Sequence, residues 1–178
     1  MFVSLYGILH SPEYRERYAA DLRKMLLRIP AVRDFRAFAD AGRALADLHL
    51  GYESADPYPL HVERAAAAGH RVEKMRYART GGVTDRSTVV YNSGITVSGI
   101  PPEAHEYRLG ARSGIDWILE RYQVKTDTVS GICNDPNDWA EEHGDPRYIL
   151  DLLARIVTVS VETVRIVGAL PPLDVVEG

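Results

Sequence analysis

The sequence predicts an α+β fold, with helices flanking a small, mainly antiparallel sheet and a long C-terminal helix. Three patterns support this fold class: apolar residues at helical spacing in the N-terminal third, β-branched runs in the middle, and helical spacing again from Ser113 onward. The chain has 178 residues, of which 46% are hydrophobic, so we expect one domain with its own core over 1–178.

Two helices are expected before the sheet. The first begins at Ser11, whose hydroxyl can cap it, with Pro12 in the first helical position, and it ends at Ile29-Pro30. The second follows Asp34 and carries an apolar stripe whose aromatic side chains are expected in the core. The stripe consists of Phe35, Phe38, Gly42, Leu45 and Leu48.

The middle of the chain predicts the sheet. Alternation places Lys74 and Arg76 on one face of a strand, while Asn92-Ser93-Gly94 predicts a hairpin and Gly81-Gly82 a turn. Strand character is found in the runs 60–63, 72–77, 88–91, 95–98 and 106–109.

The C-terminal third returns to helices. One helix begins at Ser113, with Asp116 three residues on as a short capping box, and a long polar loop then extends to Trp139. The last helix opens at Pro146. Alternation over 157–161 fits a strand equally well, but we favour one helix to about Val167.

Charge is unevenly distributed. The net charge of −4 argues mildly against nonspecific nucleic-acid binding. Between Arg64 and Arg86, however, six Lys or Arg residues stand against two acids, whereas from Asn134 onward nine acids stand against three arginines. Either one face of the protein is positive, or a solvated basic edge lies beside an acidic tail.

No motif for catalysis, a cofactor or a metal is apparent. The sequence lacks a GxxxxGK[ST] loop, a GxGxxG loop and zinc-ligand spacing. Cys133 with His143 could form the thiol–base pair of a hydrolase, although inert packing of the cysteine is the favoured interpretation. A solvated acidic loop explains the acids of 135–142 better than a cation site does.

Composition also bears on location. No apolar run approaches the length that spans a bilayer, and no secretory leader is recognisable, so no membrane partner is expected. A single cysteine excludes an internal disulfide framework. We therefore expect a cytoplasmic protein.

Six segments, taken together, resemble a known family. They are YGILHSPEYRERYAADLRKMLLRIP, AGRALADLHLGYE, KMRY, ITVSGIPPEAHEY, IDWILERYQVKTDTVSGICNDPNDW and PRYILDLLARIVTVSVETVRIVGALPPL. In this order they are similar to the C-terminal specificity domain of Type ISP restriction-modification enzymes. Those enzymes join a nuclease, a helicase-like motor, an adenine methyltransferase and a target-recognition domain in one polypeptide.

The resemblance implies a DNA target-recognition domain with no catalysis of its own. The expected partners are double-stranded DNA and the methyltransferase/helicase portion of a restriction-modification enzyme. Motor and nuclease motifs are missing from this chain, and Asn134-Asp135-Pro136-Asn137 is not a version of the methyltransferase motif Asn-Pro-Pro-Tyr. The polar loop, rich in hydrogen-bonding side chains, favours recognition over chemistry.

Basic and amide side chains are the expected DNA contacts, because they can bond base edges and phosphates. We predict Lys74, Arg76, Arg79 and Arg86 from the sheet region, with Lys125, Thr126, Asn134 and Asn137 from the polar loop. Tyr91 and Asn92 are weaker candidates. Each could instead be a solvated surface residue, and the loop asparagines could shape a turn.

A protein-interaction module is the alternative function. In that case the first helix and the apolar N-terminus would dock on a methyltransferase core, and the chain alone would barely bind DNA.

Overall fold

Helices precede and follow an antiparallel four-stranded sheet, which confirms the predicted α+β class. The computed structural model describes residues 2–176, with side chains from residue 3 onward. The chain divides into unit 1, Met1–Tyr52 with Glu162–Gly178, and unit 2, Glu53–Val161.

The α-helices are α1 Phe2–His10, α2 Pro12–Arg17, α3 Ala19–Leu22, α4 Phe35–Leu50, α5 Gly114–Arg121, α6 Asn137–Glu142 and α7 Tyr148–Gly168. The strands are β1 His61–Arg64, β2 Arg76–Thr80, β3 Val83–Asn92, β4 Ile95–Ser98, β5 Arg108–Leu109, β6 Arg112–Ser113, β7 Lys125–Thr126 and β8 Cys133–Asn134. Short 3-10 turns occupy Tyr52–Ser54 and Pro102–His105.

The helix predicted from Ser11 is shorter than expected. Ser11 does cap α2, since its Oγ accepts a hydrogen bond from the Tyr14 backbone N–H. The helix breaks at Tyr18 and α3 ends at Leu22, so the prediction of one helix to Ile29-Pro30 is wrong. Met25 has a φ of 60°, which a right-handed helix cannot contain, and its side chain is 91% exposed.

The second predicted helix is confirmed as α4. Phe38, Gly42 and Leu45 are buried as expected, and Phe38 belongs to the core of unit 1. The predicted burial of Phe35 is wrong, because this first residue of α4 is 52% exposed. The rest of that core consists of Ile8, Tyr14, Val32 and Leu173.

The backbones of α1 and α4 approach each other at two glycines. A Cβ built on Gly42 would lie 1.7 Å from the Val3 carbonyl oxygen, and one on Gly7 would lie 2.1 Å from that of Phe38. Both distances are far shorter than a van der Waals contact. Only glycine therefore allows this pair of helices to pack so closely.

The main sheet of unit 2 is antiparallel, with strand order β1-β4-β3-β2. Buried residues alternate along its inner strands, as the period of a strand requires. The predicted β3–β4 hairpin is confirmed, with Asn92 opposite Ile95. The buried residues of these strands are Val89, Tyr91, Ile95 and Val97.

The two helices predicted for the C-terminal third are confirmed, whereas the predicted polar loop contains β7, β8 and the start of α6. Ser113 and Asp116 form a reciprocal capping box at the start of α5. The stretch 157–161 is helical, within the 21 residues of α7. Among residues 2–176 no helix is long and apolar enough to cross a membrane.

The close approach of α1 and α4 makes a testable prediction. Gly42→Ala should lower the free energy of unfolding by about 2–3 kcal/mol, because the added methyl group must displace backbone. Urea denaturation of the variant and the parent chain measures the difference. Gly168→Ala is the matched control, since a Cβ there meets no atom within 4 Å, and equal losses in the two variants would contradict the prediction.

Candidate nucleic-acid interface

A basic cleft lies in unit 2 beside the β3–β4 hairpin. Its volume is about 530 Å³, and Arg71, Lys74 and Arg76 line it together with the acidic Glu73. All three basic residues are exposed. A local excess of positive charge of this kind attracts polyanions even when the whole protein is acidic.

The backbone that carries Arg71 and Lys74 is irregular, and a buried side chain holds it in place. Asn137 Oδ1 accepts a hydrogen bond from Val72 N at 2.9 Å, and its Nδ2 donates to Val72 O at 2.8 Å. Asn137 is only 4% exposed, and its amide also donates to Asp135 Oδ1 at 2.6 Å. The amide thus satisfies the backbone N–H and C=O of buried Val72, which no strand pairs.

The β3–β4 hairpin holds the same segment through two further side chains. Asn92 Nδ2 donates to the carbonyl oxygens of Gly69 and Arg71, both at 2.9 Å, and Tyr91 Oη donates to His70 O at 2.7 Å. Burial raises the pKa of Tyr91 well above its ordinary value, so its hydroxyl remains a donor. Both residues therefore shape the cleft from within the protein.

The polar loop is more ordered than its sequence indicates. β7 and β8 form a short antiparallel pair with Lys125 opposite Asn134 and Thr126 opposite Cys133. Asp127 closes the tip of this hairpin by accepting hydrogen bonds from the backbone of Val129 and Ser130. Asn134, Lys125 and Thr126 are exposed.

Backbone contacts bring this hairpin to the cleft. The Val124 N–H donates to Glu73 O at 2.8 Å, and Lys74 forms an isolated antiparallel bridge with Gln123. Lys125 follows directly on from this junction, so the basic sheet edge and the polar hairpin form one continuous surface. Sequence reasoning selected residues from both places without indicating that they adjoin.

Arg71 connects the cleft to the acidic end of the loop. Its guanidinium forms ion pairs with Asp135 and Glu141, the second at 3.2 Å. Burial of Asp135 raises the pKa of its carboxyl group, but hydrogen bonds from Asn137 and Arg71 outweigh burial and lower it overall. Sequence reasoning did not select Arg71, although it lies in the same basic run as Lys74.

Arg86 is exposed, but neighbouring side chains engage its guanidinium. It pairs with Asp116 at 3.0 Å, and its guanidinium lies 5.0 Å from the centre of the Tyr77 ring. Tyr77 Oη also donates to Asp116, at 2.8 Å. Burial alone would raise the pKa of Asp116. Hydrogen bonds from Ser113, Tyr77 and Arg86 outweigh this effect and lower the pKa to about 2.

The predicted residues therefore fall into three groups. Exposed side chains of the cleft and its adjoining hairpin are Lys74, Arg76, Lys125, Thr126 and Asn134. Arg79 is exposed further along β2, where its Nη2 donates to Gly82 O at 3.0 Å. Arg86 and Asn137 are engaged by other residues of the protein, Arg86 as an exposed ion pair with Asp116 and Asn137 as a buried amide.

Cys133 and His143, the thiol and imidazole considered for hydrolysis, lie in different places in the fold, and no hydrogen bond joins these two residues. Cys133 is exposed on β8. His143 has its Nδ1 bonded to Trp139 O at 2.8 Å, and its ring stacks on the Trp139 ring at 4.1 Å. Within the part of the chain that the structure describes, no group of three His, Cys, Asp or Glu residues could hold a metal ion.

Comparison with known proteins confirms the family resemblance. Residues 1–152 match the family model described as the Type ISP C-terminal specificity domain. No curated protein sequence matches the chain at a significant level.

Several solved structures share the fold along nearly the whole chain. A nuclease-deletion mutant of the Type ISP restriction-modification enzyme LlaGI, in complex with a DNA substrate mimic, is 41% identical with a TM-score of 0.89. The ATP-dependent Type ISP restriction-modification enzyme LlaBIII bound to DNA is 38% identical with a TM-score of 0.88. DrdV in a DNA complex is 37% identical with a TM-score of 0.81.

These structures are much longer than the chain. The alignments cover 98%, 97% and 96% of this chain, but only 14%, 11% and 18% of LlaGI, LlaBIII and DrdV respectively.

The burial of Asn137 makes a prediction about stability. Asn137→Ala should lower the free energy of unfolding by about 3 kcal/mol, because it leaves the Val72 N–H and carbonyl without partners. Hydrogen exchange at the Val72 amide should accelerate as well. Asn134→Ala is the control, since an exposed side chain should cost less than about 0.5 kcal/mol, and equal effects in both variants would contradict this role.

The Asp116 carboxyl group makes a prediction about pH. Its pKa is lowered on folding from the ordinary 3.8 to about 2, so its stabilisation is present above about pH 4 and is lost as the pH falls through 2. The measured quantity is the free energy of unfolding of the parent chain minus that of Asp116→Asn. This difference should decrease by about 1–2 kcal/mol as the pH is lowered from about 4 to about 2. A difference that does not change with pH would contradict the assignment.

Proposed function

Because the chain belongs to the family of Type ISP C-terminal specificity domains, we propose that it recognises a specific sequence in double-stranded DNA for a restriction-modification enzyme. Catalysis belongs to other parts of such an enzyme, so this chain binds and selects without reacting. LlaGI, LlaBIII and DrdV, with which it shares 37–41% identity, are each described as complexes with DNA or a DNA mimic.

The observation that carries the proposal is the continuous surface formed by the basic cleft and the β7–β8 hairpin. Lys74 and Arg76 are exposed cations suited to phosphate oxygens, which would set the register of the protein on the duplex. Asn134 and Lys125 lie opposite each other on the hairpin and offer hydrogen-bonding groups for base edges. Thr126 beside them can contact either phosphate or base.

Two of the predicted contacts receive different roles in this proposal. Asn137 would have to break three internal hydrogen bonds to reach a base, so we assign it to holding the cleft. Arg86 is exposed but does not line the cleft, and it pairs with Asp116 beside the Tyr77 ring, so we assign it a supporting role. Arg71, which sequence reasoning did not select, joins Lys74 and Arg76 as a phosphate contact.

The setting of this function follows from the lengths compared above. We propose that residues 1–178 act as one target-recognition domain together with the methyltransferase and helicase parts of a restriction-modification enzyme in the cytoplasm. The chain spans less than a fifth of each enzyme that it resembles, which is consistent with a recognition module in a larger assembly.

Docking on a methyltransferase core is a second candidate function, and exposed apolar side chains favour it. Met25, Leu26, Leu27 and Ile29 are 91%, 52%, 61% and 69% exposed. Four such neighbours near α3 form an apolar patch of the kind found at protein interfaces. This role is compatible with DNA recognition, since a recognition domain must also be held against its catalytic partner.

Charge reversal tests the DNA-binding proposal. Replacing Lys74, Arg76 and Arg79 by Glu should weaken binding to duplex DNA at least about tenfold, because three cations near the phosphates become anions. The slope of log affinity against log salt should fall in magnitude by up to about 2.7. Fluorescence anisotropy with labelled duplexes over a range of salt concentrations measures both quantities.

A matched variant controls for net charge. Lys24, Arg36 and Arg43 are exposed cations of unit 1, and replacing them by Glu changes the net charge equally. If both triple variants lose the same affinity, the cleft is not the DNA site. If the parent chain itself barely binds DNA, the docking function becomes the better explanation.

A further inference from the structure

The β2–β3 pair extends beyond the rest of the main sheet as a two-stranded ribbon. β4 accompanies β3 only from Thr88 onward, whereas β2 pairs with β3 back to Val83. A bulge between Tyr77 and Ala78 marks the point where the ribbon begins. Within the ribbon, residues 79–84 are exposed.

The tip of the ribbon is narrow. Gly81 and Gly82 have φ values of 58° and 84°, the conformation that two-residue hairpin turns of type I′ require. Neither position has a protein atom within 4 Å of where a Cβ would lie. Nothing in the described part of unit 2 therefore covers the turn.

Two side chains of different chemistry flank this tip on opposite faces of the ribbon, because Arg79 lies opposite Thr84 and Val83 lies opposite Thr80. Arg79 reaches towards the turn. Its Nη2 donates a hydrogen bond to the carbonyl oxygen of Gly82, so the guanidinium lies beside the turn. Val83, directly after the turn, is 72% exposed. An exposed valine alone is common, but this one lies on a projecting tip that also carries a cation on its other face.

We propose that the Gly81-Gly82 tip enters the major groove of DNA end-on, with Arg79 reading a guanine and Val83 contacting the methyl group of a neighbouring thymine. This inference rests on the proposed function and deepens it by naming which groove is read and which residues read it. Arg79 offers the paired donors that guanine O6 and N7 accept, and an aliphatic side chain suits the thymine methyl group.

Dimensions favour the major groove. From Ala78 to Gly81 the ribbon extends by about 10 Å, at about 3.3 Å per residue, and the major groove is about 8.5 Å deep. Its two strands lie about 4.8 Å apart, which with side chains fits a groove about 12 Å wide but not a minor groove about 6 Å wide. Arg76 at the base of the ribbon is then placed near the phosphates at the rim of the groove.

The inference can be tested by letting the 178-residue chain select DNA duplexes from a pool whose central sequence is randomised. The parent chain should enrich a consensus sequence. Arg79→Ala should lose preference at one guanine position and bind the parent consensus about 5- to 150-fold more weakly. Val83→Ala should lose preference at an adjacent thymine while the remaining positions stay selected.

A change in the DNA sharpens the test of Val83. Replacing that thymine by deoxyuridine removes only its methyl group, which should weaken binding of the parent chain about fourfold. Val83→Ala should bind the thymine and uracil duplexes equally, because the contact is already lost. Equal weakening in the parent chain and in Val83→Ala would overturn the assignment of this residue.

Control variants separate the possible failures. Arg43→Ala and Leu50→Ala change exposed residues of α4 in unit 1, so they should select the parent consensus with unchanged affinity. If Arg79→Ala and Val83→Ala also do so, the ribbon does not read bases, although the proposed function stands. If the parent chain enriches no sequence at all, both the inference and the proposed function are overturned.

Discussion

The proposed recognition surface depends on one buried amide. Asn137 forms two hydrogen bonds with the backbone N–H and C=O of Val72 and thereby holds a backbone segment that belongs to no strand. Arg71 and Lys74 lie before and after Val72 in this segment. Asn92 of the β3–β4 hairpin holds the same segment through two further hydrogen bonds. Buried peptide groups must find partners, so an irregular segment can carry exposed cations only where side chains replace the missing strand.

This arrangement separates residues that support the surface from residues that form it. Asparagines occur in both classes: Asn137 is buried and fully bonded, whereas Asn134 is exposed on β8. The same holds for the arginines, since Arg86 is paired with Asp116 while Arg76 lines the cleft. Residue type alone therefore does not decide which of these side chains supports the surface.

Two classes of charged residue can be distinguished around the cleft, acids that are paired with arginines and cations that are exposed. A protein of net charge −4 can bind a polyanion only if its cations are concentrated and its acids are directed elsewhere. Two acids near the cleft, Asp135 and Asp116, are each occupied by an arginine. Their charges are locally compensated, whereas Lys74, Arg76 and Lys125 are exposed in the cleft or beside it, together with the acidic Glu73. Arg79 continues the basic line towards the tip of the β2–β3 ribbon.

Much of the fold was determined by local sequence. The capping box of Ser113, the hairpin after Asn92 and the long C-terminal helix depend on residues a few positions apart, and each was predicted correctly. The break at Tyr18 and the exposure of Phe35 depend on neighbours that periodicity does not describe. The sequence also marked the family and the basic run from Arg64 to Arg86. Only the tertiary structure decided that Asn137 is internal and that Lys74 adjoins the β7–β8 hairpin, because both rest on hydrogen bonds between residues some 50 or more positions apart.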